Sequence, residues 1–181
     1  KRAMARDLED RYAEWEDFSL DLAEAFRNRE LGAKTQQFAD SDRFNTLRSL
    51  PFFEKFSDAE IWEVARFSTW RQCGAGELLM KEGEPGTFFC ILADGQIRVT
   101  KKGKLLNLLR AGECFGEMAY LSKAGQVRGA DVTVMNDAKI ISIPTPKLAE
   151  ASDACRHQFD RAFLAILVER LSMANIRLSG V

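Results

Sequence analysis

Two residues of opposite charge stand among small neighbours. Glu117 lies within Gly112-Glu113-Cys114-Phe115-Gly116-Glu117-Met118-Ala119-Tyr120-Leu121, and Arg128 returns eleven residues later in Arg128-Gly129-Ala130. Backbone N–H groups flanked by small side chains let an anion approach, and one fixed guanidinium balances one negative charge. A carboxylate beside them is an acceptor for a sugar hydroxyl. Residue types and spacing therefore suit a ligand that carries both a phosphate and a ribose.

Other chemistries find less support. His157 is the only histidine, so a zinc or non-haem iron site is not expected, and neither is a metal-dependent jelly-roll enzyme. We expect no enzyme, no metal and no cofactor. Cys73, Cys90, Cys114 and Cys155 are widely spaced with no C-x-x-C, which reads as free thiols in a cytoplasmic protein. Lys and Arg total 26 against 27 acids, a net charge of −1, and nothing in that balance recruits nucleic acid or an anionic membrane. The longest apolar run, Ala162–Val168, is too short to span a bilayer. The first thirty residues are densely charged, unlike a signal peptide. The chain begins at Lys1 rather than Met, which is compatible with a piece of something longer.

The elements that must position Glu117 and Arg128 are short runs punctuated by glycine, between Thr69 and Ile143. Strands are expected at Glu77–Lys81, Phe88–Leu92, Gln96–Thr100, Leu105–Leu109, Val132–Met135 and Lys139–Ile143. Breakers separate them: Glu82-Gly83-Glu84-Pro85-Gly86, Asp94-Gly95 and Lys102-Gly103. About eight short strands at this spacing predict an antiparallel, jelly-roll-like β-roll whose mouth is a natural pocket. The fold class is mainly β with flanking helices (α+β), with N-terminal helices and a long C-terminal helix.

Helices flank the roll. Residues 1 to about 31 read as one helix striped by Leu8, Tyr12, Trp15, Leu22 and Phe26, with Gly32 as its stop. We expect an N-terminal helical extension over 1–40 and the main domain over 41–181. A short helix spans Ser41–Ser49, Pro51 starts a turn, and Ser57-Asp58-Ala59-Glu60 is a capping box for a helix burying Ile61, Val64 and Ala65. Phe44, Phe52, Phe53 and Phe56 are core candidates. After Pro144 and Pro146 come a helical turn at Lys147–Ala154 and a long helix from 156 to about 178. Its run Phe163–Val168 is apolar all round, so we expect it to be covered on two sides.

These residues resemble the cyclic nucleotide-binding domain, the fold of the bacterial catabolite activator protein and of the regulatory subunits of cAMP-dependent protein kinase. The resemblance rests on Gly76-Glu77, Gly83-Glu84-Pro85-Gly86, Phe88–Leu92, Gly95, Phe115-Gly116-Glu117-Met118-Ala119 and Arg128-Gly129-Ala130, and covers about residues 44 to 178. It implies that Glu117 accepts the ribose 2′-OH and that Arg128 pairs with the exocyclic phosphate oxygens. The amides of Gly116, Met118, Ala119 and Ala130 would surround the cyclic phosphate. Val99, Leu106 and Leu109 would contact the base, and Arg170, Met173, Ala174 and Asn175 would cap it.

Three departures from the family pattern matter. The segment between Glu117 and Arg128 is slightly long, and Lys123-Ala124-Gly125-Gln126 should bulge to solvent. Members preferring cGMP often carry threonine where this chain has Gly129, so the resemblance favours cAMP over cGMP. Asp131 stands where the family commonly has Ser or Thr; toward a phosphate it would repel, and strand alternation turns it away. The expected function is a sensor for a cyclic nucleotide, cAMP first, whose binding moves the C-terminal helix. An alternative is the same fold used as an interaction or dimerisation module with weak or no nucleotide binding. A homodimer through the N- or C-terminal helices is expected. No recognition helix or basic patch is present, so no DNA-binding domain is expected in this chain.

Overall fold

The computed structural model describes residues 39–121 and 127–179. The expected helix over 1–31 and the expected bulge at 123–126 lie outside them. Within the compact unit Arg43–Val181, residues 43–49 are helical (α1). Pro51 then opens a single 3-10 turn, Pro51–Phe53, where its missing N–H costs nothing. Helix α2, Asp58–Phe67, begins with the expected capping box: the Ser57 hydroxyl accepts from the Glu60 amide, and the Glu60 carboxylate accepts from the Ser57 amide at 2.7 Å.

Eight strands are present among the described residues, all paired antiparallel. In chain order they are β1 Thr69–Cys73, β2 Leu78–Met80, β3 Phe88–Asp94, β4 Gln96–Lys101, β5 Lys104–Arg110, β6 Cys114–Phe115, β7 Asp131–Val134 and β8 Ala138–Pro144. They form two four-stranded sheets, ordered β1-β8-β3-β6 and β2-β7-β4-β5. The roll expected from the sequence is the roll observed. Neither β1 nor the two-residue β6 is predicted from the alternation. β6 is too short to show a period, and β1 has only Cys73 fully buried, so its pattern is weak.

One-turn helix α3, Met118–Leu121, follows β6. After β8 come α4, Thr145–Ala149, and the long helix α5, Asp153–Ser179. Phenylalanines fasten α5 to the roll: Phe159 and Phe163 are buried against Phe52, Phe53, Phe56 and Phe89, with ring centroids 4.9 Å apart for Phe89–Phe163 and 5.1 Å for Phe56–Phe159. Phe44 stacks on Trp62 at 4.6 Å at the edge of this cluster. A second cluster fills the space between the sheets, around Leu92, Ile97, Leu109, Phe115 and Ile140. Among the described residues, no helix is long and apolar enough to cross a membrane.

Candidate ligand site

The site begins where β6 ends. Register sets Cys114 opposite Ile91 and Phe115 opposite Cys90, which delivers Gly116 and Glu117 just beyond the sheet. Gly116 turns the chain with φ +78°, in the left-handed region. A Cβ there would lie 2.6 Å from Met80 Cε and 2.7 Å from Arg128 Nη1, so any other residue would strain the backbone and push the ends of those two side chains aside. The chain then enters α3, whose first turn is held by the Glu117 carbonyl accepting from the Tyr120 and Leu121 amides, both at 2.9 Å. Met118 is exposed on this turn, and Ala119 lies within it.

Glu117 is only 1% exposed. Its carboxylate accepts from Arg170 Nη1, and Arg170 Nη2 donates to the Cys114 carbonyl. Burial pushes the Glu117 carboxyl above its usual range, opposed chiefly by the charge of Arg170 and more weakly by that of Arg128. Arg170 belongs to α5, so this acid joins the strand-to-helix corner to the long helix.

Arg128 is 5% exposed. Its Nη2 donates to the Phe88 carbonyl at 2.7 Å and its Nη1 to the Gly116 carbonyl at 3.0 Å, with the guanidinium carbon 4.5 Å from the Phe88 ring centroid. These two bonds engage two of the five N–H groups that a guanidinium offers. Burial pulls the Arg128 pKa down, against the attraction of Cys90 and Glu117. The backbone of Arg128 is pinned as well: its N–H donates to the Glu84 carbonyl at 2.8 Å, and its carbonyl accepts from Gly83 N at 2.9 Å. Gly129 is exposed with open space where a Cβ would sit, and Ala130 is half-buried beside it. Asp131 turns its carboxylate to the β2–β3 turn, where it accepts from the Glu82 amide at 2.7 Å.

The structure thus brings Gly116, Glu117, Arg128 and Arg170 into one connected set. It divides the residues read as base contacts. Val99 and Leu109 pack with the cluster between the sheets, Leu109 being fully buried. Leu106 does not join them. Val99 pairs with Asn107 and Thr100 with Leu105, so Leu106 is the extra residue of a β-bulge, and it is 48% exposed. It lines a groove of about 1360 Å³ together with Arg170, Met173 and Ala174 of α5. Asn175 is exposed one residue beyond that lining. Phe88, which supplies both a carbonyl and a ring face to Arg128, is missed by sequence reading. A strand carbonyl carries no residue signature, and Phe88 reads only as a buried strand position.

Residues 70–154 match the family model described as the cyclic nucleotide-binding domain. Among curated relatives, the cGMP-dependent protein kinase egl-4 of Caenorhabditis elegans is 30% identical over 113 residues, which is 62% of this chain and 14% of that kinase. The chain therefore spans a small part of the length of such relatives. Among solved structures, the regulatory domain of Toxoplasma gondii PKA with cAMP superposes with a TM-score of 0.63 at 19% identity, over 77% of this chain and 52% of that one. The regulatory subunit of a cAMP-independent protein kinase A from Trypanosoma brucei superposes at 0.60 and 17% identity, over 68% of this chain and 45% of that one. At these identities the two structures share a fold with this chain.

Proposed function

We propose that this chain is a cyclic nucleotide sensor in which Gly116–Ala119 and Arg128–Ala130 hold the phosphate and ribose. The observation that carries the reading is a connected set of charges: buried Arg128 beside Gly116, and buried Glu117 tied to the partly exposed Arg170 of α5. A cyclic phosphodiester carries one negative charge, which the Arg128 guanidinium balances with N–H groups beyond the two given to carbonyls. The amides of Gly116, Met118, Ala119 and Ala130 complete the phosphate shell, and Glu117 accepts from the ribose 2′-OH. The base lies along the groove of Leu106, with Arg170, Met173 and Ala174 over it. Val99 and Leu109 support the β4–β5 hairpin from its other face.

Gly129 offers no hydroxyl to a guanine amino group, which supports cAMP as the preferred ligand. Because Glu117 also holds Arg170, a ribose hydroxyl arriving at that carboxylate changes what α5 is bound to. Ligand binding and the position of α5 therefore share one free-energy balance. The four thiols are buried and free, which fits a reducing, cytoplasmic setting. Melting curves test the reading. A ligand that binds only the folded state at 100 times its Kd adds about 2.7 kcal/mol of stability. We expect cAMP to raise the melting temperature, and more than cGMP does at equal concentration; no rise with either nucleotide at millimolar concentration contradicts the proposal.

A specific feature favours a second role for α5. Cys155, Phe159 and Phe163 face the roll, whereas Leu164, Val168 and Leu171 recur at spacings of four and three, 58–64% exposed, and Asn175 extends the row. Helical geometry sets this row opposite the packed face. A polar Asn in such a seam pairs with its own copy when two helices run parallel and in register. We read the row as the contact for a second copy of this chain. Sedimentation velocity checks it: the wild type is expected as a dimer that Leu171→Asp dissociates, and a wild-type monomer at tens of micromolar rules it out.

A further inference from the structure

Asp131 and Glu82 are the acids around Arg128 that the ligand site does not use, and their geometry gives them a task. Arg128 is held on both sides of its backbone by the β2–β3 turn: Gly83 N donates to its carbonyl, and its own N–H donates to the Glu84 carbonyl. Just before it, Val127 bridges to Pro85. The placement of the arginine is thus the placement of the 82–85 turn. That turn is fastened by one side chain from β7, since Asp131 Oδ1 accepts from the Glu82 amide at 2.7 Å. Asp131 follows Arg128 by three residues, so the bond closes a short ring in which turn and arginine cannot slide past one another. Glu82 in turn sends its carboxylate to the Lys102 amide at 3.0 Å, at the β4–β5 turn. Lys102 has φ +49°, the one non-glycine residue in the left-handed region among the described residues, and the bond holds its N–H in place.

We propose that Asp131 is a positioning residue for Arg128: through Glu82 it fixes the turn that clamps the arginine backbone, and so sets where the guanidinium meets a ligand anion. The carboxylate that would oppose a phosphate if it faced one is instead consumed by a backbone amide. A hydroxyl at this position reaches less far from the strand than a carboxylate, so the clasp belongs to this chain's aspartate. The consequence for ligand affinity rests on the nucleotide-binding reading above; the clasp itself does not.

Three proteins decide it: wild type, Asp131→Ala, and Asp131→Asn, whose side-chain oxygen still accepts from Glu82. Amide hydrogen exchange without nucleotide reads the clasp. We expect the Glu82, Gly83 and Arg128 amides to exchange faster in Asp131→Ala and at the wild-type rate in Asp131→Asn, with the β3 and β8 amides unchanged in both. Titration with cAMP should show about 5-fold weaker binding for Asp131→Ala and recovery in Asp131→Asn, the size of one net hydrogen bond. Unchanged exchange at those three amides in Asp131→Ala overturns the inference, and so does a wild-type cAMP affinity in that variant. Should Asp131→Ala not fold, Asp131→Ser, with its shorter acceptor, is read in the same way. A wild type that binds neither cyclic nucleotide contradicts the ligand reading alone, because exchange measured without ligand still decides whether Asp131 holds Arg128.

Discussion

At Gly129 the chain leaves a gap that only a side chain could use. Nothing lies within 4 Å of where a Cβ would stand, and the residue is exposed, so larger residues fit without strain. Gly129→Thr is therefore a clean probe of base preference. We expect it to leave the melting temperature unchanged and to shift the cGMP-to-cAMP affinity ratio about 5-fold toward cGMP, the worth of one added hydrogen bond. Parallel titrations that give an unchanged ratio remove Gly129 from the base side of the site. Gly116 is the opposite case: its positive φ strains any other residue, and a side chain there would displace the ends of Met80 and Arg128. Glu117, Arg128 and their small neighbours are legible in the sequence because the order Phe-Gly-Glu then Arg-x-Ala sets a chemically committed acid and base among small residues. The partners of these residues are not. That Arg170 reaches Glu117 depends on the register of a 27-residue helix, and that Phe88 receives Arg128 depends on a carbonyl no sequence pattern marks.

Among the elements, α5 carries the strongest energetic argument. Phe163 is 1% exposed, with ring centroids 4.9 Å from Phe89 and 5.8 Å from Tyr120. It packs the helix against both β3 and the one-turn helix that follows Glu117. Phe163→Ala should cost about 3–5 kcal/mol in denaturant unfolding, because the rigid roll cannot collapse into the space left. A loss below about 1 kcal/mol would mean that α5 is not docked as described. The longer helices and most strands are legible because their periods are long enough to count, and the Ser57–Glu60 box because its two reciprocal bonds need particular residues; the one-turn α3 is too short to show a period. The bulge at Leu106 is not legible, since pairing with β4 decides it; the family resemblance, not strand alternation, gives Leu106 and Leu109 one task. The two-residue β6 is visible only through its pairing with β3.

Across the whole chain the connections converge on one path. The β2–β3 turn clamps the Arg128 backbone, Arg128 reaches the Gly116 carbonyl, and Glu117 reaches Arg170 and thereby α5. A ligand bridging Arg128 and Glu117 touches that path at its centre, which is how a small anion could bias a helix as long as α5. The claim on which the ligand reading depends is that Arg128 receives a cyclic phosphate. Titration calorimetry of the wild type and Arg128→Ala with cAMP tests it most directly. The account predicts a 1:1 wild-type isotherm and a variant, still folded by its melting curve, that binds about 30- to 1000-fold more weakly, or about 2–4 kcal/mol. Equal affinity in the two proteins would contradict it.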